Sequence, residues 1–221
     1  MDPISWIAAV LAAATDVALL RPAVVFERLS ATSLVSVAVG VALLAGASTM
    51  FGHVVVFLLN HVYGLRLYAG VALGGLYLTL LHVLSAVVVG LAATAAMGDV
   101  APMTIAVAYL LALSPRLLGF LVFVPHIGLG IGRLLEGWWL ITLVIVLAQV
   151  LGLGRWQALA VAGVAWLLTQ LLSRLLARPV ASLTSRAWTR LSGRTTFITA
   201  HDILAGTPFV PLERARAEAA S

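Results

Sequence analysis

The sequence predicts an all-α fold: a polytopic transmembrane helical bundle of about five spans, with interfacial helices at both ends. Three observations carry that reading. The chain is 62% hydrophobic and only 10% charged, with a mean hydropathy of +1.12, well outside the range of soluble domains. Its apolar runs are long enough to cross a hydrocarbon core of roughly 30 Å, which takes about 20 helical residues. Gly, Pro, Trp and Arg punctuate those runs where spans begin and end. The division is an N-terminal amphipathic segment (1–30), a five-span membrane domain (31–177), and an Arg-rich interfacial helix with its tail (178–221).

Met1-Asp2-Pro3 puts no positive charge before the first apolar run. A secretory signal has a basic n-region, so cleavage after Ala12-Ala13-Ala14 is not expected. Asp2 and Pro3 fit an N-cap and a first-turn residue of a helix to about Leu20. That helix is too short to span and contains Asp16, which places it on the membrane surface. Leu20 to Leu29 follows as a membrane-entry stub, with Phe26 and Leu29 on one face and Glu27 and Arg28 in water. The first span runs uncharged from about Leu34 to Leu59, and Arg66 lies in the loop after it. Tyr68 to Met97 is uncharged too, and its crossing is expected from near Gly75 to Gly98-Asp99. Gly70-x-x-x-Gly74, followed by Gly75, offers a close-packing face.

Span three is expected from Met103 to Val124. Pro115 lacks a backbone donor and disfavours helix at Ser114, so a kink or break falls there. Arg116 then lies inside the span, where it either snorkels to the interface or pairs with Glu136 or Asp99. Pro125 to Gly132 reads as a turn, after which Arg133 and Glu136 can pair at i, i+3. Span four, Trp138 to about Gly152, is bracketed by Trp139 and Trp156, and the helical rise between those two, roughly 26 Å, matches two aromatic belts. Trp138, Trp139 and Trp156 are accordingly expected as membrane anchors. Gly152-Leu-Gly154-Arg155 is a tight turn into span five, Trp156 to about Leu172. Beyond it, Leu183, Ala187 and Leu191 recur at helical spacing beside Trp188. With Arg186, Trp188 and Arg190 as anchors, this reads as an interfacial helix on anionic headgroups. From Thr195 onward a loosely ordered tail is expected.

The residues offer little chemistry. There is no cysteine, which removes disulfides, thiol catalysis and thiolate metal sites. The net charge of +5 lies mostly after the last apolar run, which is a membrane-anchoring pattern and not a nucleic-acid footprint. All 13 basic residues are arginine, which with the Ala, Val, Leu and Gly richness fits a GC-rich bacterial genome. His53, His61, His82, His126 and His201 form no i, i+4 metal pair and no His-Glu-x-x-His. No Gly-x-Ser-x-Gly occurs. Gly128-x-Gly130-x-Gly132 follows no strand, so it is not a dinucleotide loop. Neither a metal nor a cofactor is expected. His53 and His82 are the residues through which a haem or chlorin would have to bind, and a hydrogen-bonded histidine is the simpler reading of each.

Arg21-Pro22 through Leu29, the spans from Leu76 onward, Ala108-Tyr109-x4-Ser114-Pro115, and Trp138-Trp139 through Gly152-Leu-Gly154 together resemble the Yip-domain family. These are the Rab/Ypt-interacting five-span membrane proteins, and the likeness covers roughly residues 18 to 175. It implies a role in organising membranes or membrane assemblies. In eukaryotic members, scaffolding of small GTPases leans on a long cytosolic N-terminal region. Almost nothing precedes Arg21 here, so that activity is not carried over. The resemblance implies a cytoplasmic N-terminus, whereas the arginine distribution favours a cytoplasmic C-terminus.

The expected function is therefore non-enzymatic: a scaffold or subunit of a membrane assembly in the cell (inner) membrane. Its partners would be the lipid bilayer with its anionic headgroups, and other membrane subunits or a second copy of the chain, with no nucleic acid. One alternative is a small transporter or channel lined by Asn60, His61, His82, Arg116, Glu136 and Gln149. The other is a pigment- or haem-binding subunit using His53 or His82. All three readings require lipid as the solvent, so alkaline carbonate washing of membranes is expected to leave the chain in the pellet. Its release into the supernatant would overturn all three.

Overall fold

The computed structural model describes residues 2–59, 63–98, 100–124 and 127–192, and every element among them is helical. Five are long and apolar enough to cross a membrane: Ala31–Gly52, Leu67–Met97, Pro102–Phe123, Gly128–Leu151 and Arg155–Leu175. The chain is a multi-pass helical membrane protein. Its outward surface agrees, because α5 (Leu65–Met97) presents Leu73, Leu76, Leu80, Leu84, Val87 and Leu91 to the surroundings. An apolar stripe of that length is rare on a protein that faces water.

Helix α1 (Pro3–Ala18) starts where the cap residues place it, with the Asp2 carboxylate accepting from the Ser5 N–H at 2.8 Å. That backbone hydrogen bond holds the Asp2 carboxyl below its ordinary pKa. Sixteen residues rise about 24 Å, short of a crossing. One face of α1 buries Val10, Ala13, Ala14 and Val17 against the bundle, while Ile4, Ile7 and Leu11 stay exposed. Short α2 (Pro22–Arg28) folds back so that Arg28 reaches Asp16 at 3.4 Å. With Arg28 two-thirds exposed, this pair contributes no more than about 1 kcal/mol.

Helix α3 (Ala31–Gly52) opens at the Ser30 cap and ends earlier than the sequence suggests. At His53 the ring Nδ1 donates to the Thr49 carbonyl at 2.8 Å. The His53 N–H bonds Met50 instead, and short α4 (Val54–Leu59) follows. The α3–α5 crossing is tight. A Cβ on Gly46 would meet the Gly75 carbonyl at 2.7 Å and Thr79 Oγ1 at 2.8 Å, so only glycine fits there. Gly74 packs on the flexible Met50 side chain, and Gly75 lies 3.5 Å from the Ala47 backbone, so the small residues flagged on α5 do mark a close approach.

The centre of the bundle is α6 (Pro102–Ala112), in which every residue from Ile105 to Ala112 is buried. A helix that is apolar all round is one enclosed all round. It ends where Pro115 requires, since that ring cannot donate to the Leu111 carbonyl. Ser114 Oγ donates to that carbonyl at 2.6 Å, and the chain continues as a 3₁₀ segment from Ser114 to Phe123. Ser48 of α3 fastens the segment, donating to the Leu117 carbonyl at 2.6 Å and accepting from the Phe120 N–H at 3.1 Å.

Helix α7 runs from Gly128 to Leu151 and corrects the expected turn over Pro125–Gly132. Gly128, Gly130 and Gly132 are helical because lipid offers no water to bond a free backbone. That requirement outweighs the roughly 1 kcal/mol each glycine costs in a helix. Gly152 closes α7 at φ +63°, and the Leu153 N–H caps the Ala148 carbonyl at 3.0 Å. The last helix, α8 (Arg155–Ser192), passes without interruption through the expected boundary near residue 178. Arg186, Trp188 and Arg190 ride on it, but their side chains lie outside the described ones, as does the tail from residue 193.

The α3–α5 contact yields a paired prediction. Gly46→Ala forces a methyl into the Gly75 carbonyl and is expected to cost about 1–3 kcal/mol. Gly75→Ala meets Ala47 at an ordinary 3.5 Å and is expected to be tolerated. Thermal unfolding in detergent compares the two.

Candidate functional site

The break at Ser114-Pro115 delivers Arg116 to the middle of the bundle. Its N–H bonds the Leu113 carbonyl at 2.8 Å, an i→i−3 link that turns the side chain toward α7. There the guanidinium carbon sits 5.0 Å from the centre of the Trp139 ring. Trp139 is 1% exposed. Tyr109 of α6 meets the same indole edge-on, with ring centres 5.7 Å apart and planes at 78°. The Tyr109 hydroxyl bonds Thr169 of α8 at 3.1 Å. His82 of α5 lies within electrostatic range of Arg116. Elements α5, α6, α7, α8 and the 3₁₀ segment thus converge on one aromatic-cationic cluster.

Among the described residues Arg116 forms no ion pair with Glu136. The Glu136 carboxylate turns to α8 instead. There Glu136 Oε1 accepts from Trp166 Nε1 at 3.0 Å and from Gln170 Nε2 at 2.8 Å. Trp166 and Gln170 lie one turn apart, so both donors reach a single oxygen and lock α7 to α8. Arg133 is exposed, and the ion pair recorded among the described residues is Arg28–Asp16. Asp99 lies outside the described residues.

Glu136, expected as an intramembrane residue together with Pro115, Arg116 and Asp99, lies inside α7, which starts eight residues before it and ahead of the expected Trp138. Two tryptophans move for that reason as well. Trp139 lies about 16 Å along α7 and is a core residue, not a boundary anchor. Trp138 donates its indole N–H to the Ala18 carbonyl at 3.1 Å, satisfying the C-terminus of α1. Trp156 is 83% exposed at the start of α8. His53 spends its Nδ1 on Thr49, and Gln149 is exposed. Asn60, His61, His126 and His201 lie outside the described residues. Among the described residues no group of three or more His, Asp or Glu could hold a metal.

Magnitudes set the character of the cluster. An arginine at mid-bilayer costs roughly 2.5–3.5 kcal/mol on insertion scales. A desolvated cation–π contact returns about 2 kcal/mol, so Trp139 offsets much of such a penalty. Two buried donors nonetheless have no acceptor, Arg116 Nε and Trp139 Nε1. Each such group costs about 1–3 kcal/mol. Trp139 as the partner of Arg116, and Trp166 with Gln170 as the partners of Glu136, were absent from the sequence reading. The helical spacing of Glu136 to Trp139, and of Trp166 to Gln170, was the signal that existed.

No protein-family model, curated protein or solved structure matches the chain.

The Arg116–Trp139 contact is testable by a double-mutant cycle of Arg116→Met and Trp139→Leu. A coupling of about 0.5–2 kcal/mol is expected in thermal unfolding, and strictly additive losses would exclude the contact. Arg116→Lys keeps a cation over the ring and is expected to lose less than Arg116→Leu.

Proposed function

We propose that the chain is a non-enzymatic helical scaffold, or a subunit of a membrane assembly, that binds partner helices and lipid laterally in the cell (inner) membrane. The observation that supports this reading is how the spans spend their polar groups. Ser48, Tyr109, Thr169, Glu136, Trp166 and Gln170 all bond from one helix to another. Such bonds fix helices against each other and leave few groups to line a path for solute. The outer faces of α5 and α8 are correspondingly apolar. Between them runs a groove lined by small and flexible residues, including Ala93, Met97, Ala160 and Val164.

Small residues let a second helix approach closely where lipid gives no hydrophobic drive to associate. The groove suits a transmembrane helix of a partner subunit or of a second copy of this chain. The membrane-organising role implied by the Yip-domain resemblance fits such lateral binding. Anionic headgroups are the expected company of the Arg-rich C-terminal helix.

Site-specific photocrosslinking tests the reading in native membranes. A benzophenone side chain at Val164, in the groove, is expected to yield a discrete adduct heavier than the 23.1 kDa chain. The same probe at Ile141, exposed on α7, is expected to give none. No adduct from Val164, or an identical one from Ile141, overturns the proposal.

A further inference from the structure

The centre of the bundle holds something that lateral binding does not require. Trp139 is almost wholly enclosed, yet its indole N–H has no acceptor, and Arg116 Nε is likewise buried without one. Both belong to one cluster, because the Arg116 guanidinium lies over the Trp139 ring. A cation–π contact uses the charge of the guanidinium and none of its N–H donors. The Glu136 carboxylate is occupied by Trp166 and Gln170 and directs its bonded oxygen at α8. Tyr109 is tied to Thr169. Among the described residues the cluster thus presents a half-buried cation and two buried donors with no acceptor.

We propose that Arg116 and Trp139 form an anion-binding site inside the membrane domain, which takes a singly charged oxyanion: a carboxylate or a phosphate group. The guanidinium supplies planar, paired donors that match the oxygens of such a group, as a halide would not. The indole N–H adds a neutral donor at the same cluster. The cluster holds one cation, Arg116, and that sets the charge of the ligand. In a low-dielectric interior a second uncompensated negative charge on the ligand is strongly disfavoured. The oxyanion arrives either as the head of an anionic lipid entering from the side or as a free small ion. The site goes beyond the scaffold role, and its binding readout is independent of the crosslinking that tests that role.

The test uses the full chain in nanodiscs of neutral phosphatidylcholine at constant ionic strength in chloride. Sodium butyrate and sodium phosphate are titrated separately, under mildly acidic conditions in which phosphate is chiefly a monoanion. A parallel set of discs contains phosphatidylglycerol. The thermal midpoint is expected to rise saturably with at least one of these oxyanions. Arg116→Gln is expected to abolish the shift. Trp139→Phe keeps a ring under the cation and removes the N–H, so it is expected to weaken binding about tenfold. If Arg116→Gln fails to fold, Trp139→Phe carries the test alone. A shift confined to phosphatidylglycerol discs, and lost in these variants, assigns the oxyanion to a lipid head. A shift with butyrate or phosphate assigns it to a free anion. No saturable shift in any arm, or one that survives in both variants unchanged, overturns the proposal.

Discussion

A proline inside a membrane-length helix leaves one carbonyl without its donor, and in lipid no water can make up the loss. Here that carbonyl belongs to Leu111, and Ser114 supplies the hydrogen bond. The local solution has distant effects. It ends α6, tightens the backbone into a 3₁₀ segment and rotates Arg116 onto Trp139. The freed polar backbone of the segment is then bonded by Ser48 of α3. One missing N–H thus decides how the central strut of the bundle joins helices on both sides of it.

The same break explains why an arginine is tolerated at the centre. Arg116 would be costly in lipid and costly again if buried against aliphatic side chains alone. The indole face beneath it, and the Tyr109 ring packed edge-on against that indole, give the charge a polarised surface instead. Glu136 serves a different joint, the one between α7 and α8. Charge compensation and helix locking are therefore divided between two residues. This division leaves the donors of Arg116 and Trp139 available, and it is what sets the cluster apart from an ordinary buried ion pair.

Some of this was legible in the residues. The break at Ser114-Pro115 follows from proline chemistry, and the Asp2 cap follows from local hydrogen bonding. The close-packing glycines of α5 were legible as small residues, though not that Gly46 of α3 would face them. Other expectations failed for a common reason. Gly128, Gly130 and Gly132 look like a turn by propensity, and propensity is measured in water. Once the backbone is in lipid the helix continues through them, which puts Glu136 inside α7 and Trp139 in the core. The pairing of Arg116 with a carboxylate was the natural expectation for a buried cation, but two donors from α8 reach Glu136 first.

By itself the sequence determined the solvent, the number of crossing helices and the position of the break. Each follows from composition, run length or a covalent property of one residue. Only the tertiary structure decided that the cation meets an indole and that the carboxylate serves a neighbouring helix. Spacing along a helix fixes which side chains share a face, but which face meets which helix depends on the packing of all five spans together.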